Sequence, residues 1–357
     1  MNKLILILTG LIITCSVQAQ QKTENLIIVT LDGMRWQEVF GGVDSLLIVN
    51  KKFTRDSASI VRTYWSKDVQ ERRQKLFPFL WSTILNQGQL YGNRLKGSNV
   101  NVANKYHFSY PGYNEIFTGY PDTAVNSNDK ILNKNINVLE FINKQKGFKG
   151  KVAAFTSWDV FPYIFNEARS GIYVNADDTI QSGNVALKLI SDMHTLSSRP
   201  LDVRPDVLTY FGAREYLKAS HPRVLYIGFD ETDDFAHEGM YDQYLKSAHA
   251  EDAMLADLWK LIQSMPEYAG HTTLIVTCDH GRGDKVKEEW TSHGEKIADS
   301  DQIWIAAIGP DTKPLGEVKK TKQYYQRQLA TTFAALFGFD FKPDQPVIGP
   351  IESIVGK

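Results

Sequence analysis

The chain alternates short, unbroken apolar runs with longer stretches in which apolar residues return every three or four positions. Asn25–Leu31, Lys151–Thr156, Arg223–Phe229, Thr272–Cys278 and Ile303–Ile308 are runs of six or seven residues, apolar or β-branched nearly throughout. Such runs lack polar alternation and predict strands buried on both faces, as in a parallel sheet. A shorter run, Gln89-Leu-Tyr91, turns at Gly92-Asn93 toward another short strand. Helical spacing predicts helices over Phe77–Gln87, Asn137–Lys146, Gln181–His194, Arg204–Lys218, Tyr241–Met265 and Gln323–Phe337. A short helix is also expected where Tyr113, Ile116 and Phe117 precede Gly119. Strand and helix alternate along the chain without internal repeats. This order implies an α/β protein, a three-layer α/β/α sandwich around a mostly parallel central sheet. One domain is expected over residues 20–357, with loop insertions at about 43–76 and 160–205. Lys51–Lys75 mixes charges of both signs and reads as a solvated excursion.

Composition changes this picture only at the ends and in what it excludes. The 357 residues are 43% apolar and 23% charged, with a formal net charge of −1. No global field draws the chain to nucleic acid, so duplex binding is not expected. Met1-Asn2-Lys3 precedes an apolar run from Leu4 to Ile13, broken by Thr9 and Gly10, and small residues surround Ala19. These are the parts of a secretory signal over residues 1–19, too short to span a bilayer. The mature chain would begin near Gln20, exported to the periplasm or medium, with no transmembrane segment. The alternative is lipoprotein processing at Cys15 after Ile12-Ile13-Thr14, to which Thr14 is a poor fit. With the signal removed, Cys278 stands alone and no internal disulfide can form. It reads as a small buried apolar residue.

Candidate chemistry collects where the apolar runs end. In open α/β sheets ligands bind beyond the carboxyl ends of the strands. The first run stops on Asp32-Gly33 and the fourth on Asp279-His280-Gly281. The third leads into Asp230-Glu-Thr-Asp-Asp-Phe-Ala-His237, where Asp233 and His237 would share one helical face. Ser109-Tyr-Pro-Gly opens a helical stretch, and His293-Gly294 follows Trp290. Each has a plainer reading. Asp32 and Asp279 could start turns, Ser109 could be an N-cap, and the polar cluster after Phe229 could be a solvated loop. Together these side chains offer oxygen and imidazole ligands to small cations.

The set resembles the alkaline phosphatase superfamily, and most closely its type I phosphodiesterase and nucleotide pyrophosphatase branch. Four features carry the likeness in the family's order. They are Asp32-Gly33 after a strand, Ser109-x-Pro111 running to Thr118-Gly119, Asp233-x-x-x-His237, and Asp279-His280-Gly281 with His293-Gly294 after it. The resemblance implies two zinc ions, or manganese. One would be held by Asp32, Ser109, Asp279 and His280, the other by Asp233, His237 and His293. It implies a phosphodiester or phosphomonoester substrate, small or nucleotide-like, attacked by Ser109 through a covalent phosphoseryl intermediate, with retention at phosphorus. The chain departs from the branch at Ser109-Tyr110-Pro111-Gly112-Tyr113, where the branch reads Thr-Phe-Pro-Asn-His. Gly112 removes a donor to a phosphoryl oxygen, and Asn114, Arg35 and Arg282 are the candidates to replace it. Arg35 also reads as an ordinary surface arginine. A sulfatase of the same superfamily is one alternative, although Tyr113 stands where formylglycine maturation needs arginine. A non-catalytic metal-bearing binding protein on the same scaffold is another. Trp36, Tyr110, Tyr113, Trp158 and Trp290 lie near the motifs and would either stack on a substrate or pack the core.

Overall fold

A computed structural model of the chain describes residues 22–176, 179–180, 182–199, 201–319 and 321–356. The expected signal segment, Cys15 and the predicted helix start at Gln181 lie outside these residues. Eleven strands are described: β1 (Asn25–Leu31), β2 (Gln89–Tyr91), β3 (Ser98–Asn101), β4 (Val152–Thr156), β5 (Tyr173–Asn175), β6 (Val224–Phe229), β7 (Thr272–Thr277), β8 (Gln302–Ile303), β9 (Ile305–Ile308), β10 (Gly316–Glu317) and β11 (Lys322–Tyr325). Eight form the main sheet in the order β10-β2-β9-β7-β1-β6-β4-β5. Only β9 runs against the others. Every residue of β1, β6 and β7 is buried, so helices cover both faces of the sheet.

Register places the chemistry. Leu31 of β1 lies opposite Phe229 of β6, and Thr30 lies opposite Thr277 of β7. The three central strands therefore end level. Asp32, Asp230 and Cys278-Asp279 emerge at one edge of the sheet, where the Asp32 amide makes a last bond to the Phe229 carbonyl at 3.1 Å.

Several sequence expectations are corrected here. The segment expected as a solvated excursion forms helices Ser45–Val49, Ser57–Tyr64 and Val69–Leu76. Asp44, Asp56 and Asp68 cap them by accepting backbone N–H groups. Their apolar faces bury Leu47, Ile60, Tyr64 and Leu76. Arg73 is buried as well, pairing with Glu317 at 3.3 Å and lying 3.5 Å over the Trp81 ring. The second excursion supplies β5, which extends the sheet beside β4. Ile303–Ile308 is not one strand. It breaks at Trp304, which leaves Gln302–Ile303 in a small sheet ordered β11-β3-β8. The last predicted helix begins only at Leu329, because Lys322–Tyr325 pairs with Ser98–Asn101 as a strand. The polar cluster after Phe229 is a helix, Glu231–His237, with Asp233 buried, not a solvated loop.

Candidate active site

The structure brings the expected ligands together in two groups. Asp32, Asp279 and His280 form one and Asp233, His237 and His293 the other, each with its ligand atoms within 4.8 Å of one another. In the first, His280 Nε2 lies 3.4 Å from Asp32 Oδ1, 3.3 Å from Asp279 Oδ2 and 3.4 Å from Ser109 Oγ. In the second, His237 Nε2 lies 3.1 Å from Asp233 Oδ2 and 3.0 Å from His293 Nε2. Asp233 Oδ1 stands between the groups, 3.7 Å from His280 Nε2 and 4.0 Å from His293 Nε2. The His280 and His293 rings stack with centroids 3.9 Å apart.

Four of the candidate ligands, Asp32, Asp279, His280 and His293, are each held at one end and turn the other toward the site. Asp32 Oδ2 accepts the Tyr113 hydroxyl at 2.8 Å, and Asp279 Oδ1 accepts the Gly33 N–H at 3.1 Å. Their other oxygens, Asp32 Oδ1 and Asp279 Oδ2, are buried with no hydrogen-bond partner among the described residues. Buried acceptors are almost always paired, and two bare carboxylate oxygens facing one imidazole nitrogen fit a cation. The histidines repeat the pattern. His280 Nδ1 donates to the Gly281 carbonyl at 3.0 Å and His293 Nδ1 to the His107 carbonyl at 3.1 Å. Both then present an Nε2 lone pair, the tautomer a metal ligand needs.

The electrostatics agree. Burial, with the neighbouring Asp233 charge, raises the Asp32 carboxyl well above the usual range. Burial and Asp32 do the same to Asp279. Burial and then His280 hold the His293 imidazolium form well below its ordinary value. Burial would also raise Asp233, but the Arg282 guanidinium and His237 outweigh it and keep that carboxyl well below the usual range. Without a cation, several of these groups cannot ionise together.

Ser109 is the first residue of the helix Ser109–Thr118, and the cap position belongs to Phe108, which makes no side-chain cap. The N-cap reading of the serine is therefore corrected. Its hydroxyl faces His280 from the positive end of a helix dipole. Two glycines make the approach possible. Gly33 has φ 58, and a Cβ there would collide with the Asp233 carboxylate and Arg282. A Cβ on Gly112 would lie 2.5 Å from the Asp279 carbonyl oxygen.

Two of the three proposed substrate contacts are corrected. Arg35 is fully buried and engaged by Glu38 and the Gly283 carbonyl. Asn114 is also buried. It donates to the Tyr120 carbonyl at 2.8 Å and accepts from Asn133 and Asn135. Arg282 does lie at the site. It grips the Asp233 carboxylate and carbonyl, while its Nε and Nη1 are buried without partners among the described residues. Trp290 packs against Phe53, Tyr241 and Tyr244, and Tyr113 against Phe161, so these aromatics serve the core. Sequence reading missed Tyr113 and His107 as supports of the ligands, and Asn128, whose Oδ1 accepts the Tyr110 N–H beside Ser109 at 3.0 Å. No local pattern announces these contacts. Their signal is position within four residues of Ser109 or, for Asn128, in the loop that follows its helix.

Comparison with known proteins agrees with this geometry. The structure resembles the alkaline phosphatase PafA, with a TM-score of 0.62 and 11% identity over 94% of this chain and 99% of that one. It resembles the lipoteichoic acid synthase LtaP from Listeria monocytogenes at 0.59, with 13% identity over 94% and 76% of the two chains. It also resembles a phosphonate monoester hydrolase of Agrobacterium radiobacter at 0.57, with 12% identity over 93% and 77%. At such identities the likeness is one of fold. Among curated proteins none matches the sequence. The family model described as type I phosphodiesterase / nucleotide pyrophosphatase matches residues 43–330, which include Ser109 and every candidate ligand except Asp32. The chain belongs to the type I phosphodiesterase / nucleotide pyrophosphatase family.

Proposed function

We propose that the chain is an exported two-metal hydrolase of small phosphate esters, with Ser109 as nucleophile. It would act as a single catalytic domain over residues 20–357 once residues 1–19 are removed. The observation that carries this reading is the meeting of Ser109 Oγ with the two bare carboxylate oxygens on His280 Nε2, all at 3.3–3.4 Å. Asp32, Ser109, Asp279 and His280 would hold one ion, and Asp233, His237 and His293 the other. Three imidazoles favour zinc over manganese. When bound, such a pair of ions supplies Lewis acidity, favouring the serine alkoxide and neutralising charge on the phosphoryl and leaving oxygens.

The protein's own part is placement. The first turn of the Ser109 helix aims Oγ at phosphorus and adds its positive end to the stabilisation of negative charge. Oγ gives up its proton to solvent and forms a bond to phosphorus as the bond to the leaving oxygen breaks, and the released alkoxide takes a proton from solvent. Water then attacks the phosphoseryl group, the Oγ–phosphorus bond breaks, and Ser109 regains its proton. Two in-line displacements leave the configuration at phosphorus unchanged. Tyr113, the Gly33 amide and the Gly281 and His107 carbonyls fix the ligands. Arg282 orients Asp233 and keeps two donors at its back.

Ser109→Ala tests the assignment with p-nitrophenyl phosphate, bis-p-nitrophenyl phosphate and p-nitrophenyl sulfate, each with zinc. Phosphate-ester turnover should fall by roughly 10³-fold or more, while most of the metal stays bound. Full activity in the variant would return Ser109 to a structural role. Turnover of the sulfate alone would favour the sulfatase reading. A wild-type protein that keeps both ions and hydrolyses none of the three would be a binding protein.

A further inference from the structure

His107 lies two residues before Ser109 and belongs to neither ligand group. It is one of five non-glycine residues, among those described, whose backbone is left-handed, with φ 50. That conformation is disfavoured for a residue with a Cβ, and it persists only where the surroundings demand it. The imidazole is tied locally, with Nδ1 3.1 Å from Ser300 Oγ and the ring against the Gly294 backbone. The carbonyl reaches a candidate ligand directly, accepting His293 Nδ1 at 3.1 Å.

The turn itself is pinned from below. The amides of Tyr106 and His107 both donate to Asn104 Oδ1, at 3.0 and 3.1 Å. Asn104 Nδ2 donates to Glu115 at 3.0 Å. Glu115 sits in the core on the Ser109 helix, and it also accepts the Ala103 and Arg327 amides. One buried carboxylate thus ties the nucleophile's helix to the turn that supports His293. The carbonyl at 107 can reach His293 only while the backbone there stays left-handed. In the extended region the peptide would rotate and Nδ1 would lose its acceptor.

We infer that His107 is a positioning residue for the second cation group, and that its left-handed backbone, not its ring, fixes the tautomer and plane of His293. This rests on the two-metal reading above. Partners that orient a ligating histidine typically change metal affinity 10–100-fold. His293 Nε2 lies 3.0 Å from His237 Nε2, so a rotated ring would open that group first.

The test compares wild type with His107→Asn, His107→Gly and His107→Val. Each is titrated with zinc by equilibrium dialysis and with cobalt(II) by its visible absorption. Asparagine and glycine tolerate the left-handed region and valine does not. Asn and Gly variants should bind two ions per chain with near wild-type affinity. The Val variant should bind one of the two roughly 10–100-fold more weakly, with loss of one component of the cobalt spectrum. If far-UV circular dichroism shows that the Val variant fails to fold, His107→Ala should give the same loss in smaller measure. Two ions bound with unchanged affinity in the Val or Ala protein would overturn the inference. So would an equal loss in the Asn and Gly variants, which would assign the role to the ring. A wild type that binds fewer than two ions would overturn the two-metal reading itself, an outcome the first titration separates from the rest.

Discussion

Gly112 and Tyr113 stand where the branch carries asparagine and histidine, and both are explained by what they touch. Gly112 lets the Ser109 helix press against the end of β7, because any Cβ would meet the Asp279 carbonyl. Gly112→Ala should therefore cost about 1–3 kcal/mol, the usual range for overpacking, seen as a lower midpoint in urea unfolding. An unchanged midpoint would mean that the helix can shift freely. Tyr113 packs edge-on against Phe161 and spends its hydroxyl on Asp32. Tyr113→Phe keeps the packing and removes the hydrogen bond that Asp32 Oδ2 accepts, so zinc affinity should fall roughly 10–100-fold. Dialysis at constant pH would reveal it, and undiminished affinity would sink the claim. The sequence made the candidate acids legible, since the three central strands lead directly into Asp32, Asp230 and Cys278-Asp279. It did not disclose Tyr113, because the oxygen it serves lies 81 residues earlier.

Among the elements, strands were read more faithfully than helices. The central strands are unbroken apolar runs, and burial on both faces leaves only one way to read them. Errors fell where long-range pairing overrides local pattern. Lys51–Lys75 looks solvated because its charges outnumber its apolar residues, yet Arg73 finds Glu317 across 244 residues and Trp81 beneath it. Gln323 has helical spacing behind it, but Ser98–Asn101 offers a strand partner that spacing cannot reveal. The helix over Leu80–Gln87 is similar. Its start is capped by Asp252 of the Tyr241–Ser264 helix, which accepts the Phe79 and Leu80 amides at 2.7 and 3.1 Å. Asp252→Ala would leave two buried N–H groups unpaired and should destabilise the protein by about 1–3 kcal/mol. Urea denaturation checks this. A loss below a few tenths of a kcal/mol would show that water or a shifted helix replaces the cap.

For the whole molecule, a net charge of −1 conceals a concentration of buried acid. Burial pushes Glu115 and Asp252 to about 7, and raises Asp32 and Asp279 well above their ordinary range. A carboxyl whose folded pKa exceeds its unfolded one favours the fold below the unfolded value and loses that contribution as pH rises through the folded value. Glu115 and Asp252 should therefore weaken the protein progressively between about pH 4 and pH 7, with or without metal. Asp32 and Asp279 behave differently once cations are present. A bound ion favours their ionised form, so the repulsion that opposes the metal-free fold at neutral pH becomes ligand charge. Binding to the folded state alone adds about 2.7 kcal/mol for each ion held at a hundred times its dissociation constant. Protons compete for the same oxygens and nitrogens, so this gain shrinks in acid. The melting temperature should consequently fall on verified chelation, by more at pH 8 than at pH 5. Thermal unfolding of zinc-loaded and stripped protein at the two pH values measures the difference. Equal shifts, or a larger one in acid, would mean that the bare oxygens of Asp32 and Asp279 are not where the metal binds.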